Sequence, residues 1–589
     1  MKKILSIILI MIMALLAVSN ASASREDIRG DLTNVCKKDS NNREQGLSNW
    51  FIPAGDGEDE IGYFADDCDS TGPEAFAVDG EDLFILDAVK GRLLQFSKAG
   101  CNVFPLDPCS HPIQFLIGEQ HNYVADEAEP KLFVFDKEWR FERTVPIPNS
   151  ASEQGFYMFD KEKDGMLRIL TDDMTYYSFN IGNNLWTKEY SVDVDNLSDN
   201  KTYSFNGYTF EFDSGKDTVT RFLSADIENG NLIVIVYESH PGSKTIDINT
   251  SVCKYDHNGE LVGYSTIDYS KAFCFPLYDV YVAKDSTVYV MTCIEEGVEV
   301  RPLVFEKERP SFNLNNVIID VEVNTRSMNP LTSYSRTDVR SRAMAAKTLT
   351  WTLTEGNNTI PSGSGVILPS HIASAEIGDT ITSIPYCDGG MHDSTTDFLN
   401  DNNAGYTTGN IGDYYYLTCG LDCSGYVSYT YGLSSHHGTG ILIADGYSGQ
   451  SSLNNMKSMD FLVRYNVSGK PNHAILFDKV TAAGMIKVFE CTTSTYNCVI
   501  FREKTGSSLS DYAHRTPYYC GHTGTCSFSS DYKSDSYTHW HYCIHGCGEK
   551  TAVESHSWAP YGTKYKCSVC GKVVYNIPSN SVVVIEGSE

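Results

Sequence analysis

Residues 83–96 read LFILDAVKGRLLQF, which is an apolar run ending in aspartate, a turn and a second apolar run. Residues 121–136, HNYVADEAEPKLFVFD, repeat this pattern, so that Asp87 and Asp126 are 39 residues apart. Weaker copies of the first run occur at 166–170, 231–235 and 287–291. A period of about 40 residues with several strands per unit is typical of β-propellers, whose blades bury their faces only against neighbouring blades. We therefore predict an all-β propeller over residues 24–325, with about six blades and at most seven.

The composition is that of a folded protein with several domains. The chain has 589 residues, of which 41% are hydrophobic and 12% aromatic, and these fractions exclude a mainly disordered chain. The formal net charge of −30 would repel phosphate groups. This charge argues against nucleic acid or an anionic membrane as the partner.

The N-terminus predicts export. Lys2 and Lys3 precede an apolar run over residues 4–18, and Ala21-Ser22-Ala23 follows it. This pattern is typical of a cleavable signal peptide at residues 1–23, because an apolar run of about 15 residues is too short to span a membrane. We expect a secreted bacterial protein, extracellular or associated with the cell wall, without an integral membrane segment after cleavage. Loss of two lysines and no acid would make its charge −32.

The repeat in residues 24–325 resembles the blades of NHL-type propellers, in which a hydrophobic strand ending in aspartate is followed by a turn and a second strand. A propeller carries no chemistry of its own. We therefore expect it to position substrate, or to bind a glycan or protein ligand of the wall. Cys101 and Cys109 could close a disulfide loop here, and buried free thiols are the equal alternative.

The candidate catalytic residues follow a linker at residues 326–336 and lie in a domain predicted over residues 337–510. Residues 422–433 read DCSGYVSYTYGL. Asp422 can cap a helix that begins at Cys423, and Gly432 can end it. A thiol at a helix N-terminus is favoured as thiolate, and the free backbone N–H groups beside it can donate to an oxyanion.

A base for this thiol is predicted about fifty residues further on. Residues 471–478, PNHAILFD, and 485–491, MIKVFEC, read as two strands of a hairpin. A turn centred between Thr481 and Ala482 would set His473 directly opposite Glu490. Opposed residues share a face of the sheet, so Glu490 could hold the imidazole while its other nitrogen faces Cys423.

The motifs DCSGYV at 422–427 and NHAI at 472–475 resemble those of the NlpC family of bacterial cell-wall cysteine peptidases. The resemblance implies a papain-like α+β fold and cleavage of γ-D-glutamyl–diamino-acid or related bonds in peptidoglycan stem peptides. It implies that Cys423 is the nucleophile, His473 the base and Glu490 the orienting residue. Tyr386 in PYCDGG matches the tyrosine before the family's Gly-Gly, a contact for the oxyanion or the substrate.

Some positions depart from the family pattern. Asp388 stands where tryptophan is usual and Asn472 where glycine is usual, which affects substrate fit more than catalysis. Glu490 replaces a commoner His, Asn or Gln, but a carboxylate can orient an imidazole. Two alternatives remain: a wall-binding or adhesion protein without catalysis, and an amidase or acyltransferase that acts on another acyl bond. Cys423 could also form a disulfide, as could the pair Cys491 and Cys498.

The C-terminal segment, residues 511–575, has the spacing of a metal site, and a tail at 576–589 follows. Two cysteine pairs with C-x3-C and C-x2-C spacing are separated by 19 residues, and both are followed by glycine: Cys543, Cys547, Cys567 and Cys570. They suit tetrahedral structural zinc, and His556 or His541 could replace one cysteine. The segment resembles small zinc-ribbon-like Cys/His modules of secreted bacterial proteins. Two disulfides are the alternative, and no cofactor is expected for catalysis.

Overall fold

The computed structural model describes residues 49–65, 70–127, 131–148, 155–205, 208–215, 217–226, 231–240, 245–307, 334–444, 447–448, 452–494, 496–516, 528–534, 538–543, 554–561 and 564–574. The signal peptide at 1–23, most of the linker, Cys547 and the tail at 576–589 lie outside these residues. Within them, no helix is long and apolar enough to cross a membrane.

The first part of the chain consists of antiparallel sheets. A first strand, β1 (Trp50–Pro53), and a short pair, β2 (Phe64–Ala65) and β3 (Ser70–Thr71), precede them. Six sheets are then built in chain order from β4 (Ala75–Asp79), β5 (Asp82–Asp87), β6 (Arg92–Ser97), β7 (Gly100–Pro105); β8 (Pro112–Ile117), β9 (Asn122–Asp126), β10 (Lys131–Phe135), β11 (Phe141–Pro146); β12 (Phe156–Lys163), β13 (Met166–Thr171), β14 (Thr175–Asn180), β15 (Leu185–Ser191); β16 (Asp193–Asp195), β17 (Asn200–Phe205), β18 (Tyr208–Asp213); β19 (Thr218–Asp226), β20 (Asn231–Ser239), β21 (Ile248–Tyr255), β22 (Leu261–Ile267); β23 (Val280–Val282), β24 (Val288–Ile294) and β25 (Gly297–Pro302).

These sheets have the arrangement of a propeller, as the repeat predicts. β8 lies beside β4 and β12, and β23 lies beside β19 and β4, so the first strands of successive blades line the centre. β1 pairs with β25 as the fourth strand of the last sheet, which closes the ring with the two ends of the propeller segment. The repeated aspartates have structural roles: Asp87 pairs with Arg92 at 3.0 Å, and Asp126 accepts a hydrogen bond from the His111 backbone N–H.

One of the six sheets, β16–β18, has three strands where the others have four. The first strands on either side of it approach directly, because the Tyr157 hydroxyl of β12 donates to the Phe222 carbonyl of β19. The same stretch of β19 bonds to the second domain, since the Phe222 N–H donates to the Ala483 carbonyl at 3.0 Å. A hairpin from the second domain therefore enters the propeller beside the incomplete sheet.

The second domain combines helices with a six-stranded sheet. Its elements are α1 (Arg336–Thr348), β26 (Thr350–Thr352), α2 (Ser370–Ala373), β27 (Thr380–Thr382), α3 (Thr395–Asn403), β28 (Thr407–Thr408), β29 (Thr418–Cys419), α4 (Cys423–Tyr431), α5 (Thr439–Leu442), β30 (Tyr447–Ser448), β31 (Phe461–Arg464), β32 (His473–Val480), β33 (Ile486–Thr492), β34 (Cys498–Lys504) and β35 (Ala513–Thr516), with 3₁₀ turns at Leu453–Asn455 and Ser507–Leu509. The large sheet has the order β30-β35-β31-β32-β33-β34. It extends past residue 510, where the sequence analysis ended this domain, because β35 pairs with β31.

The two faces of this sheet are buried against different partners. Ala474 and Leu476 of β32 pack in one core with Cys423 and the other apolar residues of α4. Ile475 and Phe477, which alternate with them, pack in a second core with propeller residues such as Tyr237. Successive side chains of a strand point to opposite faces. The second domain therefore has α4 on one face of its sheet and the propeller on the other.

The C-terminal residues form two small sheets. They are built from β36 (Phe528–Ser534), β37 (Thr538–Cys543) and β38 (Glu554–Ser555), and from β39 (Trp558–Tyr561), β40 (Lys564–Cys567) and β41 (Val573–Val574). Trp558 and Cys567 are opposed in β39 and β40, and both are buried.

Candidate functional site

Cys423 is the first residue of α4, as the sequence predicts. The Asp422 side chain caps the helix by accepting a hydrogen bond from the Gly425 N–H at 2.5 Å, and Gly432 ends it with φ of 62°. The Cys423 side chain carries a free thiol, and the residue is only 5% exposed. Cys423 therefore lies in the first turn of a helix, where backbone N–H groups have no partner in a preceding turn.

The segment that contains Tyr386 lies against the residues preceding Cys423. The Leu421 N–H donates to the Pro385 carbonyl at 3.1 Å, and the Asp422 N–H donates to the Gly390 carbonyl at 3.1 Å. A side chain at Gly425 would overlap that same Gly390 carbonyl. Glycine at 425 is thus required by close backbone packing, and this packing brings the PYCDGG segment to the start of α4.

His473 and Glu490 meet, although by a register different from the one predicted. Nε2 of His473 lies 2.7 Å from Oε2 of Glu490, and both side chains are fully buried. Leu476 is opposite Phe489, so the straight register would place Thr492, rather than Glu490, opposite His473. The predicted direct pairing is wrong by two residues, because the hairpin turn is longer and a bulge lies in β32 beyond Phe477. The contact is a diagonal one on a shared face.

Glu490 is also held by two cations. Nζ of Lys504 lies 3.3 Å from its Oε1, and the Arg502 guanidinium donates to the same oxygen. Burial alone would raise the pKa of Glu490, but Arg502, Lys504 and His473 outweigh it and hold the pKa well below its usual range. Glu490 is therefore an anion that orients the imidazole of His473.

The alternation of β32 determines which face carries this network. His473 shares a face with Ile475 and Phe477, which pack against the propeller, and Glu490 shares a face with Val488 in the same core. Cys423 packs on the other face, with Ala474. His473 is the first residue of β32, so it lies where the strand begins. Contact between its ring and the Cys423 thiol stays a prediction.

His436 is an imidazole beside Cys423 that the sequence analysis missed. Its Nε2 lies 2.9 Å from the Ser424 hydroxyl and 3.2 Å from Oδ1 of Asp422, on both sides of Cys423 in the sequence. The hydrogen bond with Asp422 raises the pKa of His436, and its side chain is 29% exposed. The only sequence feature that pointed to this contact was Gly432, because its left-handed turn ends α4 and reverses the chain direction.

The described cysteines for which the sequence left a disulfide open form none. They are Cys101, Cys109, Cys419, Cys423, Cys491 and Cys498. Burial raises the pKa of the neighbouring Cys419 thiol to about 12, so that it stays protonated. Cys419 is therefore a non-nucleophilic thiol with which Cys423 can be compared.

Four side chains in the C-terminal segment form a candidate metal site: His539, His556, Cys567 and Cys570. One ligand atom from each lies within 4.8 Å of the others, and Sγ of Cys570 is 3.4 Å from Nδ1 of His556. Three of the five predicted ligands are in this group, and His539 joins them. Cys547 lies outside the described residues, and Cys543 is the last residue of β37. Two thiols and two imidazoles fit the tetrahedral donor set of structural zinc.

No family model matches the chain, and no curated protein matches it. Among solved structures, a DUF4221 family member from Bacteroides vulgatus is 10% identical with a TM-score of 0.30, covering 44% of this chain and 98% of its own. Virginiamycin B lyase from Staphylococcus aureus is 9% identical with a TM-score of 0.28, covering 44% and 99%. BamB from Moraxella catarrhalis is 12% identical with a TM-score of 0.24, covering 45% and 96%.

Proposed function

We propose that the protein is a secreted bacterial cysteine peptidase of the NlpC type, which hydrolyses peptidoglycan stem peptides. The observation that carries the proposal is Cys423, a free thiol at the first turn of a helix capped by Asp422. The neighbouring Tyr386 segment and the His473–Glu490 pair add the other groups that the chemistry needs. The bond expected to be cut is of the γ-D-glutamyl–diamino-acid type.

The reaction would proceed through an acyl-enzyme. The Cys423 thiolate attacks the scissile carbonyl, and first-turn N–H groups of α4 donate to the oxyanion. His473 gives its proton to the leaving amine, and then takes one from the water that releases the acyl group. Glu490 keeps the ring oriented through Nε2, which leaves Nδ1 for proton transfer. This role requires the ring to reach the Cys423 side of the sheet at the first residue of β32.

The test compares two buried free thiols four residues apart. Purified muropeptides are incubated with the wild-type protein, Cys423→Ala and Cys419→Ala, and products are identified by mass spectrometry. We expect Cys423→Ala to lose at least about a thousandfold in kcat/KM, because the covalent route is removed. Cys419→Ala should stay within a few-fold of wild type. No products from the wild type, or equal products from all three proteins, would rule out the peptidase.

One observation favours a second function, a wall-binding protein whose peptidase-like domain is inactive. His473 and Glu490 share the sheet face that packs against the propeller, where Arg502 and Lys504 give them a structural role. In that case His473→Ala would lower stability and leave sedimentation with purified peptidoglycan unchanged. A peptidase would instead lose hydrolysis in His473→Ala while Cys423→Ala still sediments with the wall.

We also propose that the C-terminal cluster holds one structural zinc ion. Support comes from the donor set of His539, His556, Cys567 and Cys570. Metal analysis of the full chain purified under reducing conditions should give about one zinc per chain. His556→Ala should release it, whereas His541→Ala, a change two residues from His539, should keep it. A full chain that contains no zinc after reconstitution would reject the site.

A further inference from the structure

A cavity of about 90 Å³ lies between the propeller and the six-stranded sheet. Its propeller wall includes Glu74 and Glu127, and its other wall includes Arg464, Lys470, Arg502, Glu503 and Lys504. This volume is several times what a single water molecule needs. The cavity is separate from Cys423 and from the C-terminal cluster, neither of which lines it.

One part of the cavity wall is acidic. Among the described residues, Oε1 of Glu503 has no hydrogen-bond partner, and the side chain is only 10% exposed. The nearest cation, Nζ of Lys487, is 4.0 Å away and donates instead to Asp172. Burial raises the pKa of Glu503 to about 8, and Lys487 does not offset it. A buried carboxyl without a close donor is a costly feature unless a ligand satisfies it.

Glu74 and Glu127 extend this acidic wall. Oε2 of Glu74 accepts a hydrogen bond from the Leu277 N–H at 3.0 Å. Burial raises the pKa of Glu74 to about 7, although Arg502 acts in the opposite direction. Glu127 accepts a hydrogen bond from the Tyr496 hydroxyl and raises the pKa of both other carboxyls. Three carboxyls close enough to disfavour one another's charge would bind a cation favourably.

The lining also contains basic residues. Nε of Arg464 donates to the Pro471 carbonyl at 2.7 Å, and its guanidinium lies over the Tyr512 ring at 4.9 Å. Nζ of Lys470 is 2.6 Å from Asp511. Both side chains line the cavity, so its lining carries groups of both charges. A molecule that carries both an ammonium and a carboxylate group complements this lining.

We propose that the interdomain cavity is a binding site for a small zwitterion, a free amino acid. The ammonium group contacts Glu503 and Glu74, and the carboxylate contacts Lys470 and Arg464. The site goes beyond the proposed peptidase function, because it uses neither Cys423 nor His473. It also lies between two domains, where small-molecule sites are common.

The probe is alanine, titrated into the mature full chain by isothermal calorimetry, with methylamine and acetate as half-ligands. We expect one alanine per chain, bound at least about tenfold more tightly than either half-ligand. Glu503→Gln keeps the shape of the side chain and should weaken alanine binding at least about tenfold. Glu74→Gln should act in the same direction, and Glu355→Gln, on an exposed residue, should have no effect.

No saturable heat with alanine at high millimolar concentration would overturn the proposal. Equal affinity of wild type and Glu503→Gln would overturn it too, provided that thermal melting shows both proteins folded. Cys423→Ala must bind alanine as the wild type does. That variant separates this site from the peptidase, because a failure of hydrolysis leaves the binding result intact.

Discussion

The two faces of the six-stranded sheet are built in different ways. On one face, the position of Cys423 depends on residues within a few positions of it, because Asp422 caps α4 and Gly432 ends it. On the other face, the His473–Glu490 pair depends on Arg502 and Lys504 of the next strand and on a packed propeller. The first face is decided by local sequence, and the second by long-range packing.

The two faces should also differ in how much a substitution lowers the free energy of unfolding. The cap on α4 is one side-chain-to-backbone interaction, whose loss costs about 1 kcal/mol. Glu490 compensates two cations that are themselves mostly buried, and removal of one partner from such a group costs about 3–5 kcal/mol. The propeller face should therefore be the more sensitive face, although the helix face carries the proposed nucleophile.

The largest effect is expected for Glu490→Ala. It leaves Arg502 and Lys504 near the domain interface without their anion, so we expect a loss of about 3–5 kcal/mol of unfolding free energy. Urea denaturation of the full chain measures it, with Glu355→Ala on an exposed residue as the control. A loss as small as that of the control would mean that the network contributes little and that the two faces are alike.

The next effect concerns the hairpin that enters the propeller. Gly484 has φ of +87°, and a Cβ there would overlap the Thr220 carbonyl of β19. Gly484→Ala should cost about 2–3 kcal/mol, from backbone strain together with displacement of the hairpin. Gly378→Ala is the matched control, because Gly378 has φ of +102° and nothing within 4 Å of its added Cβ. Equal melting temperatures of the two variants would show that the hairpin does not hold the domains together.

A smaller effect is expected on the helix face. Asp422→Ala removes the cap of α4 and should cost about 1 kcal/mol in thermal or urea unfolding. It should also lower the pKa of His436, whose raised value depends first on Asp422. Asp422→Asn keeps the capping oxygen, so it should retain most of the stability and still shift the His436 titration in NMR spectra. An unchanged titration of His436 in both variants would contradict its ion pair with Asp422.

The last prediction is a pH dependence of stability that comes from Glu503. The pKa of Glu503 is raised to about 8, so the folded chain keeps a proton that the unfolded chain releases above its ordinary pKa of about 4.3. Its contribution to stability therefore declines as the pH rises from about 4.3 to 8. Glu503→Gln should gain stability relative to wild type as the pH rises from 5 to 8, because the amide has no proton to lose. Parallel stability curves for the two proteins would contradict the raised pKa.

Glu490 should behave in the opposite way. Its pKa is held below the usual range, so its contribution is present above the ordinary carboxyl value and is lost only as the pH falls further. These two buried carboxyls thus have opposite pH signatures. The sign is decided by the close cations: Glu490 has Arg502 and Lys504 at contact distance, and Glu503 has Lys487 at 4.0 Å.

The hairpin of β32 and β33 could be predicted only in part from the sequence. The alternation of β32 and β33 predicted two strands and a contact between His473 and Glu490, but the turn and the bulge shifted the register by two residues. A shift of two keeps every side chain on its face, which is why the contact survived the wrong register. The sequence contains no local signal for the bulge, because its position depends on how the hairpin fits the propeller.

By itself, the sequence determined the propeller repeat, the capped helix that begins at Cys423, the His473 strand and the Cys567–Cys570 knuckle. Each of these rests on residues close together in the chain, where spacing and capping chemistry act directly. Only the tertiary structure decided that His436 reaches Asp422, that His539 joins the metal cluster, and that the propeller covers the His473 face. These contacts join distant segments, and they form because apolar faces must be buried together, which local pattern alone does not specify.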